Sequence, residues 1–157
     1  MTYNDDMPWT VYLSGEIHTD WREEITKGVE GAGLNAVLTS PVTAHADSDD
    51  CGATILGEPE SAFFRDQLGA RVNAIRTRKL IEDADVVVVR FGDKYRQWNA
   101  AFDAGYASAL GKAVITLHDP SLTHALKEVD GAALAVAETP AQVVRILQYA
   151  LSGILQR

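Results

Sequence analysis

The stretch DADVVVVRFG, Asp83–Gly92, decides the architecture. Four valines follow one another with no polar residue between them. A strand with one wet face would alternate apolar and polar positions. An unbroken apolar run fits a strand covered on both faces, as in a parallel sheet flanked by helices. Just upstream, Phe64–Glu82 predicts a long helix, because Leu68, Val72, Ile75 and Lys79 approximate a helical stripe. Downstream, Trp98–Leu110 predicts a helix stopped at Gly111, and Ala113–Leu117 predicts the next strand.

The same reading extends to both ends of the chain. Thr10–Leu13 predicts the first strand. Asp20 is expected to cap a helix, with Glu23 as its capping-box partner, ending near Gly31 and Gly33. Asn35–Leu38 predicts the second strand, and Ser40–Ala62 a long polar loop. A short helix over Leu122–Val129 and a weaker strand over Leu134–Val136 follow. Thr139 and Pro140 open a last helix that buries Val143, Val144, Leu147 and Leu151. Strands and helices alternate throughout. The expected fold is therefore α/β: a doubly wound, Rossmann- or flavodoxin-like parallel sheet of about five strands with helices on both faces. Ligands in such folds bind beyond the carboxyl ends of the strands. That directs attention to residues 14–22, 39–63, 91–99 and 118–123.

The 157 residues suit one domain, 1–157. Lys and Arg number 14 against 22 Asp and Glu, a net charge of −8. That argues against gripping nucleic acid or an anionic membrane through bulk charge. Cys51 is the single cysteine, so no internal disulfide forms and nothing suggests secretion. The N-terminal MTYNDDMPWT lacks a basic region followed by an apolar run, and no apolar run is long enough to span a bilayer. A cytoplasmic protein is expected.

Four segments carry candidate chemistry. In YLSGEIHTDWREE, a strand ends and a helix begins, so backbone amides, Ser14, Gly15, His18, Thr19 and Arg22 can meet a ligand. The motifs GxGxxG and GxxxxGK[ST] are absent, and a plain capped turn is the bland alternative. In HADSDDCGATILGE, Asp47, Asp49, Gly52 and Glu58 fall on positions of the calcium-loop pattern. Cys51 takes the place of an oxygen donor there, and helix-like flanks are missing. A solvated acidic loop, or a lid over a pocket, accounts for it better. Arg76, Arg78 and Lys79 form a basic group, with Arg76 on the helix face of Asn73. They can meet a carboxylate or phosphate, or simply pair with Glu82 and Asp83. Finally, KYRQWNAAFDAGYASALGKAVI sets Asp103 among alanines and glycines one turn into a helix. Its carboxylate can point to the strand-end crevice, and the helix dipole favours its ionised form. An ordinary acid at a helix start is the alternative.

The blocks DADVVVVRFG and NAAFDAGYASALGKAVI, with its Gly105, Ala107, Gly111 and Lys112, resemble the nucleoside 2-deoxyribosyltransferase-like superfamily. VYLSGEI is similar to that superfamily's first strand and loop. The likeness is nearest to its YtoQ branch and covers almost the whole chain. The resemblance implies an enzyme of N-glycosidic bonds in nucleosides or nucleotides. At the Asp103 position the characterised enzymes carry a nucleophilic Glu, which displaces the base and forms a glycosyl-enzyme. The resemblance also implies no metal, no organic cofactor and a homo-oligomer. Tyr12, Ser14, Gly15, Glu16, His18, Arg76, Trp98 and Asn99 are expected to line the pocket. Three departures stand out: Asp103 is one methylene shorter than Glu, and Thr77 and Gln97 occupy positions where family members carry Asp. Arg76, Arg78, Gln97, Trp98 and Asn99 suggest a different, more anionic ligand. Two rival readings are a non-catalytic nucleotide-binding or sensing module of the same fold, and a metal-binding interaction protein built on residues 47–58.

Overall fold

The computed structural model describes residues 7–94 and 96–157. Residues 1–6, which carry most of the N-terminal leader reading, lie outside it. Five strands form one parallel sheet: β1 (Trp9–Gly15), β2 (Ala36–Thr39), β3 (Val86–Phe91), β4 (Ala113–His118) and β5 (Ala135–Ala137). Their order is β2-β1-β3-β4-β5. The chain winds outward from β1 to β2, crosses back to β3 and then winds the other way. The doubly wound α/β fold is thus present in its flavodoxin-like order, with its switch point between β1 and β3.

The valine run shows why both faces had to be apolar. Val86 and Val88 pack with α1 (Trp21–Gly31) and α6 (Pro140–Ser152) through Trp21, Ile25, Val29, Val143 and Leu147. Val87, Val89 and Phe91 face α3 (Ala62–Asp83) and α4 (Trp98–Ala109) through Ile81, Ala100, Ala104 and Ala107. Alternate residues of one strand therefore fill two cores. The three buried alanines of α4 recur at helical spacing and bring that helix close to the sheet.

Some local expectations need correction. The Ser40–Ala62 segment is not a loop throughout: His45–Leu56 is a helix, α2. It lacks an apolar stripe because it packs through glycine. A Cβ on Gly52 would lie 2.5 Å from the Leu68 carbonyl carbon, and one on Gly69 3.1 Å from the Asp49 carbonyl oxygen. Asp47 and Asp49 of the calcium-like pattern therefore sit on a helix, and Glu58 lies just beyond its end. Asp49 pairs with His45 at 2.8 Å, while Asp50 and Glu58 both meet Arg65. The capping box at Asp20 does not form either. Asp20 has φ −90° and ψ 14°, outside the extended region from which an N-cap side chain reaches back, and it makes no cap bond. The Thr139 cap does form, accepting from the Gln142 amide at 3.2 Å. Gln142 Oε1 in turn accepts from the Glu138 amide at 2.7 Å. In place of a helix over Leu122–Val129 there is a 3-10 turn at Pro120–Leu122 and a short helix, α5, at Lys127–Ala132.

α3 has 22 residues and β3 has 6. At helix and strand rises these span about 33 Å and about 20 Å. Because α3 feeds β3 directly, its N-terminal part overshoots the carboxyl edge of the sheet. α2 packs on that overshoot, and together they raise a wall above the strand ends.

Candidate functional site

At the switch point, β1 ends in Ser14 and Gly15, which pair in register with Val89 and Arg90. Gly15 has φ 113°, and a Cβ there would sit 2.1 Å from the Arg90 carbonyl oxygen. Only glycine allows this approach, which lets the Glu16 amide donate to that oxygen at 3.1 Å. Three carbonyls at the end of β1 converge on one guanidinium. Arg22 donates to Leu13 O at 3.0 Å, Glu16 O at 2.7 Å and Gly15 O at 3.1 Å. It also lies over the Trp21 ring at 4.5 Å. Burial lowers its pKa to about 10, so it stays charged at neutral pH.

Glu16 is buried and faces its own loop. It accepts from the His18 amide at 2.7 Å and the Thr19 amide at 3.1 Å, and contacts the Thr19 hydroxyl. Burial pushes its pKa up, but the Thr19 hydroxyl, the two amides and Arg90 outweigh burial, so the net shift is downward. It braces the loop that His18 belongs to.

Asp103 rises from α4 towards β1. The Ser14 hydroxyl, on a residue only 1% exposed, donates to Asp103 Oδ2 at 2.6 Å. Burial raises the Asp103 pKa above the ordinary carboxylate value, and the Ser14 bond opposes that rise. No bond to the other oxygen, Oδ1, is present among the described residues. Tyr12 lies on the same face of β1, fully buried. Burial first, and the Asp103 charge second, push its phenol strongly upward. Its hydroxyl lacks a hydrogen bond of ordinary geometry, although Thr77 lies beside it.

Ser14, Glu16 and Asp103 floor a cleft of about 770 Å³ between α3 and α4. Ser14, Gly15, Glu16, His18, Trp98, Asn99 and Asp103 all line it. Tyr12 does not. Arg76 does not either: it is exposed and donates to Ser40 O at 3.2 Å. Asn73 and Thr77 share the cleft face of α3, and Arg76, about 100° of helical rotation from Thr77, falls off that face. Arg78 lines the cleft instead, as do Arg96, Phe102 and Tyr106. α2 adds His45, Ser48 and Asp49, which the loop reading left without a direction. The loop after β4 turns away. His118 is buried there, with Nε2 at 3.0 Å from Asp130 Oδ2 and Nδ1 at 2.8 Å from Asp119 O. Among the described residues, no three His, Cys, Asp or Glu side chains cluster to hold a metal ion. No helix there is long and apolar enough to cross a membrane.

A cleft at the switch point with the hydrogen-bonded Asp103 carboxylate on its floor can bind a small molecule and present an oxygen to it. A solved structure of a 2-deoxyribosyltransferase from Bacillus psychrosaccharolyticus aligns with TM-score 0.51 and 17% identity, over 86% of this chain and 90% of that one. A de novo designed Rossmann 2x3 protein aligns with TM-score 0.50 and 15% identity, over 96% of each chain. These two likenesses speak to the fold. In sequence, the "uncharacterized protein YtoQ" of Bacillus subtilis (strain 168) is 41% identical over 143 residues, 91% of this chain and 97% of its own. The model of the family described as nucleoside 2-deoxyribosyltransferase YtoQ matches residues 12–151, and the chain belongs to that family.

Proposed function

We propose that the chain is an enzyme of the N-glycosidic bond, acting on a nucleoside or nucleotide-like ligand in the cleft between α3 and α4. The observation that carries this reading is the Asp103 carboxylate, held by Ser14 at 2.6 Å on the cleft floor. With Oδ2 engaged, Oδ1 is the oxygen left to meet the anomeric carbon. The C1′–N bond breaks with its electron pair leaving on the base, which takes a proton from solvent. The oxocarbenium-like centre is either captured by Oδ1 as a glycosyl ester or held beside the carboxylate while water attacks. Asp reaches less far than Glu by one carbon–carbon bond, about 1.5 Å, a misplacement that costs on the order of 100-fold in such attack. We therefore favour hydrolysis over transfer to a second base.

Ser14 and Glu16 act as positioning residues in this scheme, the first on Asp103 and the second on the His18 loop. Asn99, one turn before Asp103, and Trp98 face the ligand. The scheme needs no metal or organic cofactor. We further propose a cytoplasmic homo-oligomer of one-domain chains, with neither nucleic acid nor membrane as a partner.

Chromatography of base released from a panel of ribo- and deoxynucleosides and their 5′-monophosphates tests the proposal. Release that falls by orders of magnitude in Asp103→Asn, with ligand affinity within a few-fold, is expected. Binding without release in the wild-type protein would instead identify a sensing module of the same fold.

A further inference from the structure

Outside the cleft, Arg22, Arg65, Arg76, Arg90 and Arg145 each have an oxygen acceptor or ion-pair partner, whereas Arg71 and Arg157 have none among the described residues. Arg78 and Arg96 line the cleft, and neither has a hydrogen bond or carboxylate partner among the described residues. The cleft acids are mostly engaged: Glu16 by Thr19, Asp49 by His45 and Asp103 by Ser14. Asp66 is the exception, and it lies twelve residues before Arg78 on α3, about 18 Å away along the helix. In a chain of net charge −8, the cleft keeps two uncommitted guanidinium groups.

Their places differ. Arg96 sits just before the start of α4, 5.8 Å from the Trp98 ring centroid. Arg78 acts electrostatically on Tyr106, two turns further down α4, about 12 Å from Trp98. Asp103 lies between these ends. At the Tyr106 end the Glu82 carboxylate already accepts from the Tyr106 hydroxyl at 2.7 Å, so a second anion would be repelled there. At that same end the parallel rings of Phe102 and Tyr106, with centroids 6.5 Å apart, offer aromatic faces.

We infer that the ligand is a nucleoside 5′-monophosphate bound in one direction: phosphate to Arg96 at the start of α4, sugar at Asp103, base towards Phe102, Tyr106 and Arg78. This deepens the N-glycosidic reading of the cleft and rests on it. A guanidinium pairs with phosphate through two parallel N–H donors, and with a base edge through the same fork. The two arginines thus have separable jobs.

Calorimetry on the full chain tests this, using each 2′-deoxynucleoside, its 5′-monophosphate and inorganic phosphate as probes. At low salt at least one monophosphate should bind about tenfold or more tightly than its nucleoside, and the gap should narrow as salt screens an exposed contact. Arg96→Gln should abolish that preference while leaving nucleoside affinity unchanged. Arg78→Gln should weaken nucleoside and monophosphate alike. Equal affinity for nucleoside and monophosphate overturns the inference and leaves the N-glycosidic reading standing. Loss of the preference in Arg78→Gln but not in Arg96→Gln overturns the direction of binding. Inorganic phosphate binding as tightly as the monophosphate overturns the nucleotide assignment. Failure of every nucleoside and nucleotide to bind overturns both readings together.

Discussion

Ser14 and Asp103 stand 89 positions apart in the chain yet share a 2.6 Å hydrogen bond. That bond ties up one carboxylate oxygen and opposes the upward pull of burial on the Asp103 pKa. A nucleophile or cation stabiliser must be ionised, so turnover should fall as pH drops through the raised pKa. Ser14→Ala removes the opposing bond. Its acid limb should therefore move to higher pH, and Ser14→Thr should restore part of the shift. Carboxyl-carbon NMR of Asp103 across pH measures this without any substrate; an unchanged titration in Ser14→Ala would sink the assignment. Gly15 has a different kind of necessity. Gly15→Ala drives a methyl into the Arg90 backbone from a φ of 113°. It should destabilise the fold and disorder the Glu16–Thr19 loop, read as a lower Tm and lost amide protection at His18 and Thr19.

α2 and α4 are both built around small residues, for opposite ends. In α4, Ala100, Ala104 and Ala107 draw the helix onto the sheet so that Asp103 reaches the end of β1. In α2, Gly52 and Gly69 of the partner helix let two backbones touch, which fixes the wall bearing His45, Ser48 and Asp49. Gly52→Val should overpack that crossing and cost about 1–3 kcal/mol. Chemical denaturation measures the loss, and a change in ligand affinity should accompany it. Because Asp47, Asp49 and Asp50 lie on a helix, Asp49 pairs with His45 and Asp50 and Glu58 pair with Arg65, this segment should show no micromolar calcium affinity by calorimetry. At the other end of the chain, Thr139→Ala removes a formed cap and should cost about 1 kcal/mol without touching the cleft.

For the molecule as a whole, the buried Glu16 and the half-buried Asp103 should affect the pH dependence of stability in opposite directions. Glu16 has a lowered pKa in the fold, so its contribution is present above its unfolded pKa and is lost as pH falls through the folded value. Asp103 has a raised pKa, so its ionised form costs stability at neutral pH, and the cost is relieved as pH falls through that raised value. Thermal denaturation at neutral pH should show Asp103→Asn more stable than the native chain and Glu16→Gln less stable. Both differences should shrink towards about pH 3. A more stable Asp103→Asn that has lost turnover would mark Asp103 as a group kept for chemistry at a cost to the fold.

The valine run, the alternation of strand and helix and the Thr139 cap could be read along the chain, because each is a local pattern with a local cause. Four apolar residues in a row already require two covered faces, so the α/β sheet followed from Val86–Val89. That Asp103 faces the strand-end cleft was legible for a similar reason: a lone acid in a small-residue helix has a conspicuous setting. α2 was not legible, since its packing runs through Gly52 and Gly69 and leaves no apolar period in HADSDDCGATIL. Nor was the choice between Arg76 and Arg78, which turns on helical rotation against a wall whose position α2 and the overshoot of α3 set. Glu16 reads as a ligand contact in sequence, but the fold turns it onto the His18 and Thr19 amides. Hydrogen-bond partners are settled by which strand ends and helix starts meet in space, and contacts such as Ser14 with Asp103 form only once the chain has closed the loop between them.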